Sequence, residues 1–419
     1  MLVTCPAGLR RSRGSQAIRI GPPSLRMRAS SAHAHSRGSN RRSNCAGRIR
    51  TLSADEGNAD VRIAIDCREL IGRPTGVGRY LLELLTAWGE MPAAAAHEFV
   101  LCSPERVSDS SFGGLRVSRQ VSPGSGTLWE QRVLPKLVAT VGADVLFSPA
   151  YTCPLWCRAP IVLVIHDVSF AAHPEWFSWR EGVRRRTLTR FGARRAARVI
   201  TESDFSKREI TRLLGIAPSD IDVIYLGASM LKQTNTPSAG RLPIVLYVGS
   251  IFTRRHIPEL IEGFGRLAAR VPGARLEIVG DNRTTPRIDM DQLIAASAAS
   301  DRVHWRSYIS DTDLATLYAT ASAFVFLSDY EGFGLTPIEA MAAGIPIVVL
   351  DTEISREIYG AAAEYVQRPD PGLIASALER VLTSDAERAR LIAAGTQQVE
   401  RYSWSECAHR TLQVLLSAR

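Results

Sequence analysis

Two glutamates with seven residues between them, Glu331 and Glu339, flank a glycine turn in the second half of the chain. An apolar run before the turn predicts a buried strand, and Thr336, the proline after it and Glu339 have the order of a capped helix start. The turn therefore brings a helix N-terminus to the carboxyl end of a strand, where a phosphate or diphosphate binds favourably. We expect the amides of Gly334, Leu335 and Thr336 to be its donors. The purely structural alternative is that Glu339 only caps the helix and Glu331 is a solvated turn residue.

Two neighbouring arginines, Arg254 and Arg255, lie just beyond an earlier strand of this half. That strand is predicted at 242–248, and it exits through Gly249 and Ser250 into the pair. Two cations at a strand exit, facing the helix N-terminus of a later unit, can clamp two phosphates. The pair therefore predicts a diphosphate site in the second half of the chain.

His166 and Asp167 end a β-branched run at 161–165 in the first half of the chain. Such a continuous run is typical of a parallel strand buried on both faces. Both side chains then lie at the carboxyl end of the strand, where α/β proteins build their sites. A structural and a functional role for His166 remain equally open from the residues alone.

A glycine turn with Gly76 and Gly78 follows the first predicted strand, 61–66, and precedes a helix predicted at 80–88. A dinucleotide-binding turn is a poor interpretation, because this turn comes late, Leu81 replaces the third glycine and the next strand ends without a ribose-binding acid. A plain loop into a helix is the structural alternative.

Strands and helices alternate from residue 61 onward, which predicts two Rossmann-like α/β domains of the doubly wound type. The predicted organisation is a disordered Arg-rich tail, a first domain, a linker, a second domain and a terminal helix, at 1–60, 61–230, 231–241, 242–400 and 401–419. An upstream translation start that is not the native one explains the tail best, with a transit peptide as the alternative.

The formal net charge of +9 lies almost entirely on the tail. Residues 1–60 contain eleven arginines and three acidic residues, so the remaining chain carries only +1. A nucleic-acid-binding protein would carry its charge on the folded part, and we therefore expect no nucleic-acid partner. The seven cysteines include no C-x-x-C pair, which argues against zinc and fits reduced thiols in the cytoplasm.

A basic segment begins at Arg184 and places Arg186, Arg190, Arg194 and Arg198 four residues apart. This spacing predicts one basic stripe along a helix. A solvated face is the simpler interpretation. The alternative is peripheral contact with anionic lipid headgroups at the inner face of a membrane, since no apolar run is long enough to span a bilayer.

Taken in order, these motifs resemble the retaining glycosyltransferases of family 4, which have the GT-B fold. The resemblance rests on an E-x7-E block, a G-x4-R segment, a His-Asp pair and a PTGVGRY loop, at 331–339, 249–254, 166–167 and 74–80. Arg255 stands where the family usually has Lys, and His256 stands where it usually has Asn. The resemblance covers roughly residues 61–415.

The resemblance implies two domains that face a central cleft, with the donor held mainly by the second and the last helix crossing back onto the first. It implies a catalytic pair, His166 beside the anomeric carbon of the donor and Glu331 at hydroxyls of the donor sugar. Ile309 would position the base through its main chain, and Glu339 would accept from the ribose. The implied donor-binding residues are Gly76, Gly78, Arg254, Arg255, Ile309, Gly334, Leu335, Thr336 and Glu339.

The implied activity is transfer of a hexose, with retention, from a nucleotide-diphosphate sugar to a glycan or lipid-linked acceptor. GDP-mannose or a UDP-sugar is the expected donor, in polysaccharide assembly in the cytoplasm. No metal or other cofactor is expected, because the two D-x-D matches at 289–291 and 311–313 are too weak a pattern to assign one. Two alternatives stay open: a nucleotide-sugar epimerase or hydrolase on the same scaffold, and a non-enzymatic sugar-nucleotide-binding protein.

Overall fold

The computed structural model describes residues 60–72, 76–107, 112–228 and 242–419. The predicted linker at 231–241 and the tail up to residue 59 lie outside these residues. Within the described ranges the chain forms two parallel β-sheets with helices packed against them. The α/β architecture predicted from the alternating strands and helices is confirmed.

The first sheet has seven strands. They are β1 (Arg62–Asp66), β2 (Glu98–Ser103), β3 (Arg116–Val121), β4 (Val145–Ser148), β5 (Ile161–Val164), β6 (Arg198–Thr201) and β7 (Ile221–Val223). Their order across the sheet is β3-β2-β1-β4-β5-β6-β7, with all neighbours parallel. Ile65 of β1 lies opposite Leu101 and Phe147 on the two flanking strands. The apolar central runs are buried, as parallel strands require.

The first α-helix is longer than predicted. The helices of this half are α1 (Gly76–Gly89), α2 (Pro92–Ala95), α3 (Gly126–Leu128), α4 (Leu134–Thr140), α5 (Ser169–Ala172), α6 (Trp179–Arg195) and α7 (Asp204–Leu214). A π-helical segment, Trp129–Val133, joins α3 to α4. The start predicted at Tyr80 was wrong, because Gly76 and Gly78 already form the first turn of α1 instead of a loop before it.

The predicted basic stripe on α6 is interrupted at its end. α6 stops at Arg195, and Arg198 lies in β6, where it forms an ion pair with Asp222 at 2.8 Å. Including Arg198 in the stripe was wrong, because the four-residue spacing continues past the helix end into a strand. Arg186 and Arg190 are exposed on α6 itself. None of the described helices is long and apolar enough to cross a membrane.

The second sheet has six strands. They are β8 (Leu242–Val248), β9 (Arg275–Val279), β10 (Val303–Arg306), β11 (Ala321–Phe326), β12 (Ile347–Leu350) and β13 (Ala363–Val366). Their order is β10-β9-β8-β11-β12-β13, again with all neighbours parallel. The helices of this half are α8 (Ile257–Ala268), α9 (Met290–Ala295), α10 (Asp311–Thr320), α11 (Leu335–Ala342), α12 (Glu353–Tyr359), α13 (Pro371–Thr383), α14 (Asp385–Val399) and α15 (Trp404–Ser417).

The start of α11 differs from the predicted capping box. Gly334 is the N-cap, at a φ of 89°, and no side chain caps the helix. A Cβ at Gly334 would lie 2.1 Å from the hydroxyl of Tyr359, so only glycine fits this left-handed position. The assignment of Thr336 as N-cap and Glu339 as its capping partner was wrong, because the glycine starts the helix earlier.

The last helix, α15, packs against α1 of the first half. The indole nitrogen Nε1 of Trp88 donates to the carbonyl of Ala408 at 2.8 Å, and the amide of Ala228 donates to the carbonyl of Tyr402 at 3.1 Å. One hydrophobic core therefore runs from one face of the first sheet into the second half. This shared core brings the carboxyl ends of the strands of both sheets to one cleft.

Candidate active site

A cleft of about 960 Å³ is lined by residues that follow strands of both sheets. Three of the residues predicted for the site, Gly78, Ile309 and Glu339, are not on its wall. The structure brings the other eight together: Gly76, His166, Arg254, Arg255, Glu331, Gly334, Leu335 and Thr336.

Arg254 is held by aromatic rings. Its guanidinium carbon lies 4.4 Å from the ring centre of Phe252 and 5.7 Å from that of Trp176, which belongs to the first half. Its Nε donates to the carbonyl of Tyr330 at 3.3 Å. No carboxylate of the described residues forms a salt bridge with it. Its positive charge therefore stays available to a ligand in the cleft.

The charge of Arg254 reaches Asp167 across the cleft. Burial alone would raise the pKa of Asp167, but Arg254 and hydrogen bonds from Ser169 and Tyr151 hold it below its ordinary value. The amide of Ser169 donates at 2.7 Å and the hydroxyl of Tyr151 at 2.9 Å. Asp167 is thus ionised and fully committed to positioning its neighbours.

Arg255 is committed to Glu331. Its Nη2 lies 2.8 Å from Oε1 of Glu331, and its Nη1 donates to the carbonyl of Ser250 at 2.8 Å. Burial lowers the pKa of Arg255, but the Glu331 carboxylate outweighs burial and the pKa stands above its ordinary value. The same Oε1 of Glu331 also accepts from the hydroxyl of Ser328 at 2.7 Å. Arg255 therefore fixes the position of Glu331 at the cleft, unlike its neighbour Arg254.

His166 lies on the cleft wall with both ring nitrogens occupied. Nδ1 is paired with Glu202, and Nε2 is 2.7 Å from the carbonyl of Pro149. Burial lowers the pKa of His166, but Glu202 more than compensates and the pKa is raised. Because both partners are acceptors, each nitrogen carries a proton in this arrangement and the ring is an imidazolium.

Glu339 pairs with an arginine of the first half. It is buried, its Oε1 forms an ion pair with Arg79, and its Oε2 accepts from the hydroxyl of Tyr318 at 3.4 Å. Burial raises the pKa of Glu339 and the charge of Arg79 opposes that rise. Arg79 itself lines the cleft. The ion pair therefore joins the two halves directly behind the cleft wall.

The two halves also touch through their backbones. A Cβ at Gly332 would lie 1.9 Å from the carbonyl oxygen of His166. The carbonyl of Gly332 accepts from the hydroxyl of Ser203 at 2.7 Å. The glycine turn is thus required for close approach between the halves, in addition to any role with a ligand.

Sequence reasoning missed Glu202, Tyr151 and Arg79. Glu202 follows β6 as His166 follows β5, and these strands are parallel neighbours. The rule that placed His166 at a carboxyl end could therefore have found Glu202. Tyr151 follows β4 in the same way. Arg79 lies in the PTGVGRY loop, but no local signal indicated its pairing, because its partner lies 260 residues away.

The described residues contain no group of three or more His, Cys, Asp or Glu side chains that could hold a metal ion. The charged groups that face the cleft are instead mostly arginines and glutamates paired with each other.

Two family models match consecutive parts of the chain. The model "Glycosyltransferase Family 4" matches residues 74–229, and the model "Glycosyl transferases group 1" matches residues 232–398. The two matches meet near the point where the first sheet ends and the second begins.

Two curated relatives are mannosyltransferases by name. The O-antigen chain mannosyltransferase B of Escherichia coli is 28% identical over 263 residues, 60% of this chain and 68% of that protein. The GDP-mannose:cellobiosyl-diphosphopolyprenol alpha-mannosyltransferase of Xanthomonas campestris is 30% identical over 275 residues, 62% of this chain and 68% of that protein.

The crystal structure of Anabaena HepE in complex with UDP-glucose superposes with a TM-score of 0.65. Its sequence is 18% identical, and the match covers 85% of this chain and 99% of HepE. At that identity the likeness is one of fold.

Proposed function

The chain belongs to the glycosyl transferases of group 1 and family 4 and has the GT-B fold, and from that premise we propose that it is a retaining, metal-independent hexosyltransferase. It is a glycosyltransferase whose donor is a nucleotide sugar. GDP-mannose is the proposed donor, supported by the two mannosyltransferase relatives, with a UDP-sugar as the second candidate. The proposed acceptor is a glycan or a lipid-linked sugar.

The observation that carries this proposal is the convergence of Arg254 and the N-terminus of α11 on one cleft. No carboxylate of the described residues forms a salt bridge with Arg254, and the first amides of α11, at Leu335 and Thr336, have no partners within their own helix. Together they supply positive potential where a diphosphate leaves the sugar. A protein with these groups needs no metal ion to stabilise that charge.

The proposed reaction exchanges two bonds at the anomeric carbon. The bond to the donor diphosphate breaks and its electron pair stays on the diphosphate. The acceptor hydroxyl oxygen forms the new bond, and its proton leaves to the diphosphate or to water. Arg254 and the α11 amides act mainly after charge has begun to develop, which is the condition for lowering the barrier. Glu331 would accept from hydroxyls of the donor sugar, with Arg255 and Ser328 fixing its position.

The roles predicted for Glu339, His166 and Ile309 at the donor site remain proposals. Glu339 can reach a ribose only when Arg79 releases one of its oxygens, so donor binding would open this ion pair. His166 offers no free nitrogen and would act by holding the segment at Pro149 in place. Ile309 would contact the base through its main chain.

The decisive experiment combines donor binding with product analysis. GDP and UDP are compared by thermal shift, and labelled GDP-mannose and UDP-glucose are then tested for transfer, with the anomeric configuration of the product read by NMR. We expect a nucleoside diphosphate to raise the Tm in the native chain and not in Arg254→Ala. An inverted product would disprove retention, and equal binding by Arg254→Ala would disprove the diphosphate assignment.

Peripheral membrane contact through α6 is supported by its exposed surface. Trp179 is 77% exposed and Phe191 52% exposed, on the same helix as the exposed Arg186 and Arg190. Exposed aromatic rings beside basic residues suit the interface of an anionic bilayer.

Co-sedimentation of the full chain with phosphatidylglycerol or phosphatidylcholine vesicles tests this contact. The double substitution Arg186→Glu and Arg190→Glu is compared with Arg266→Glu and Arg401→Glu, which change the charge equally elsewhere. Loss of binding to the anionic vesicles in the first variant alone is expected. Equal loss in both variants would show a non-specific charge effect.

A further inference from the structure

The first half contributes a second, differently built arginine site to the cleft. Asp66 ends β1 and Arg68 follows two residues later. The guanidinium meets Asp66 as a fork, with Nε 3.0 Å from Oδ1 and Nη2 2.6 Å from Oδ2. A second carboxylate, Glu130, accepts from the same Nη2 at 3.0 Å. One cation is thus held between two carboxylates.

Both carboxylates are buried while the guanidinium reaches the cleft. Asp66 is 3% exposed and Glu130 is 1% exposed, whereas the Arg68 side chain is 21% exposed. Glu130 also accepts from the hydroxyl of Thr152 at 2.6 Å. Burial of this kind is stable only when the charges are paired and hydrogen-bonded, as they are here.

Two backbone irregularities build this arrangement. Glu130 lies in the π-helical segment Trp129–Val133, and such segments are frequent at functional sites. Tyr151, which precedes Thr152, has a φ of 60°, a left-handed conformation that is costly for a tyrosine. The two irregular segments carry Glu130, which pairs with Arg68, and Thr152, which donates to Glu130.

Arg68 keeps one nitrogen for a ligand. Its Nη1 has a single long contact in the described structure, 3.4 Å to the carbonyl of Gly126, and the side chain lines the cleft. Because Asp66 and Glu130 together outweigh its charge, Arg68 is a poor partner for a phosphate. A neutral hydroxyl oxygen, which needs a directional donor and no net charge, is the better match.

We propose that Arg68 is an acceptor-binding residue that donates from Nη1 to a hydroxyl of a neutral sugar, the terminal residue of the acceptor. Asp66 and Glu130 are its positioning residues. This inference rests on the proposed glycosyl transfer, since it assigns the sugar-binding wall opposite the donor diphosphate. The sugar unit bound next to the reaction centre then carries no phosphate.

Sugar binding to the GDP-loaded full chain tests the proposal. The probes are methyl α-D-mannopyranoside and methyl β-D-glucopyranoside as neutral sugars and mannose 6-phosphate as the anionic one, observed by saturation-transfer NMR. We expect at least one neutral probe to bind and to bind about tenfold or more weakly in Arg68→Gln. The phosphorylated probe should bind less well than its neutral counterpart.

Two further variants keep the result interpretable if Arg68→Gln unfolds. Arg68→Lys retains the charge but loses the fork, and it should show intermediate binding. Glu130→Gln leaves the shape intact but gives Arg68 more net charge, so its preference should shift toward mannose 6-phosphate. A structural role alone predicts no such shift.

Several outcomes would overturn the proposal. These are equal neutral-sugar binding in native protein and Arg68→Gln, no binding of any neutral probe, and a preference of the native chain for the phosphorylated sugar. The Kd for GDP or UDP, measured by calorimetry, should be unchanged in all three variants. Failure of the native chain to bind either diphosphate would instead contradict the proposed donor function.

Discussion

Arg254 and Arg68 face one cleft from opposite walls, and their surroundings give them different chemistry. Arg254 packs on the rings of Phe252 and Trp176, which leave its charge intact. Arg68 forms ion pairs with both Asp66 and Glu130, and these two carboxylates more than neutralise its positive charge. An arginine side chain therefore suits an anion on one wall and a hydroxyl group on the other. The residue type alone predicts neither.

The two walls of the cleft, one from each half of the chain, also differ in their overall charge. Among the described residues that line the cleft, the second half supplies three guanidinium groups and one carboxylate, while the first half supplies four guanidinium groups and five carboxylates. The cation excess on one wall favours a diphosphate, and the balance on the other favours neutral polar groups. The cleft is thus divided by charge before any ligand enters.

The largest expected effect comes from removing the charge of Arg254, which forms no salt bridge within the described residues. Arg254→Ala should lower kcat/KM for the nucleotide sugar by about a thousandfold, since Arg254 meets charge that grows in the transition state. Steady-state kinetics measure this, with Arg266→Ala as the control for loss of an exposed arginine. If kcat/KM fell no further in Arg254→Ala than in Arg266→Ala, the proposed difference in function between the two walls would be wrong.

The second largest effect is expected at Gly332, where the backbones of the two walls are in contact. Gly332→Ala should lower the free energy of unfolding by about 3 kcal/mol, because its Cβ would lie 1.9 Å from the carbonyl oxygen of His166. Urea unfolding followed by fluorescence measures the change. Gly76→Ala is the matched control, since nothing lies within 4 Å of its added Cβ and alanine suits a helix. Equal stability of the two variants would contradict this contact.

A smaller effect concerns the ion pair between the walls. Arg79→Met should cost about 2 kcal/mol at pH 7, because it leaves the buried Glu339 carboxylate unpaired, and the cost stays below that of a fully buried pair since the Arg79 side chain is 35% exposed. Burial already raises the pKa of Glu339, and loss of Arg79 raises it further. The variant is therefore destabilised most at high pH and least below about pH 4, where Glu339 can be protonated.

Unfolding measured at several pH values checks this dependence. The double variant Arg79→Met and Glu339→Gln is the control, since it removes both charges of this pair and should lose the pH dependence that Glu339 causes. A destabilisation of Arg79→Met that is the same at pH 4 and pH 7 would show that Glu339 is not the cause.

The smallest effect concerns the loop that carries Arg254. His256, at a φ of 51°, pairs through Nε2 with Asp329 at 2.7 Å. Burial lowers the pKa of His256, but Asp329 and Glu259 raise it to about 9. The His256–Asp329 pair therefore stabilises the fold fully at pH values below about 6.5, the pKa of a histidine in the unfolded chain. This stabilisation is lost as the pH rises through 9.

His256→Asn should accordingly cost about 1 kcal/mol at pH 6 and almost nothing at pH 10, a modest value because Asp329 is partly exposed. The difference in unfolding free energy between native chain and variant, measured at both pH values, checks this. A difference that does not change with pH would assign the cost to backbone strain instead.

The fold was predictable because apolar runs and glycine turns are local signals. Strand exits placed His166, Arg254 and Glu331 correctly on one cleft. The local signals failed at the start of α11, where both Thr336 and Gly334 could serve as N-cap. Gly334 is the N-cap, and the contact that requires a glycine there comes from Tyr359, which lies outside the local sequence motif.

The pairings within the site were not predictable from sequence. Arg79 meets Glu339, and Arg68 meets Glu130, across 260 and 62 residues. Such partners are set by how the two sheets and the π-helical segment come together in three dimensions. The sequence therefore indicated eight of the residues that reach the cleft, and only the structure showed their partners and which of them remain free for a ligand.

The position of α15 has a consequence for how the protein is made. Trp88 in α1 and its partner Ala408 in α15 are separated by 320 residues. During synthesis the first half leaves the ribosome long before α15 exists, so one face of α1 stays uncovered while the second half emerges and folds. The first half is thus completed only after α15 has left the ribosome and packed against α1.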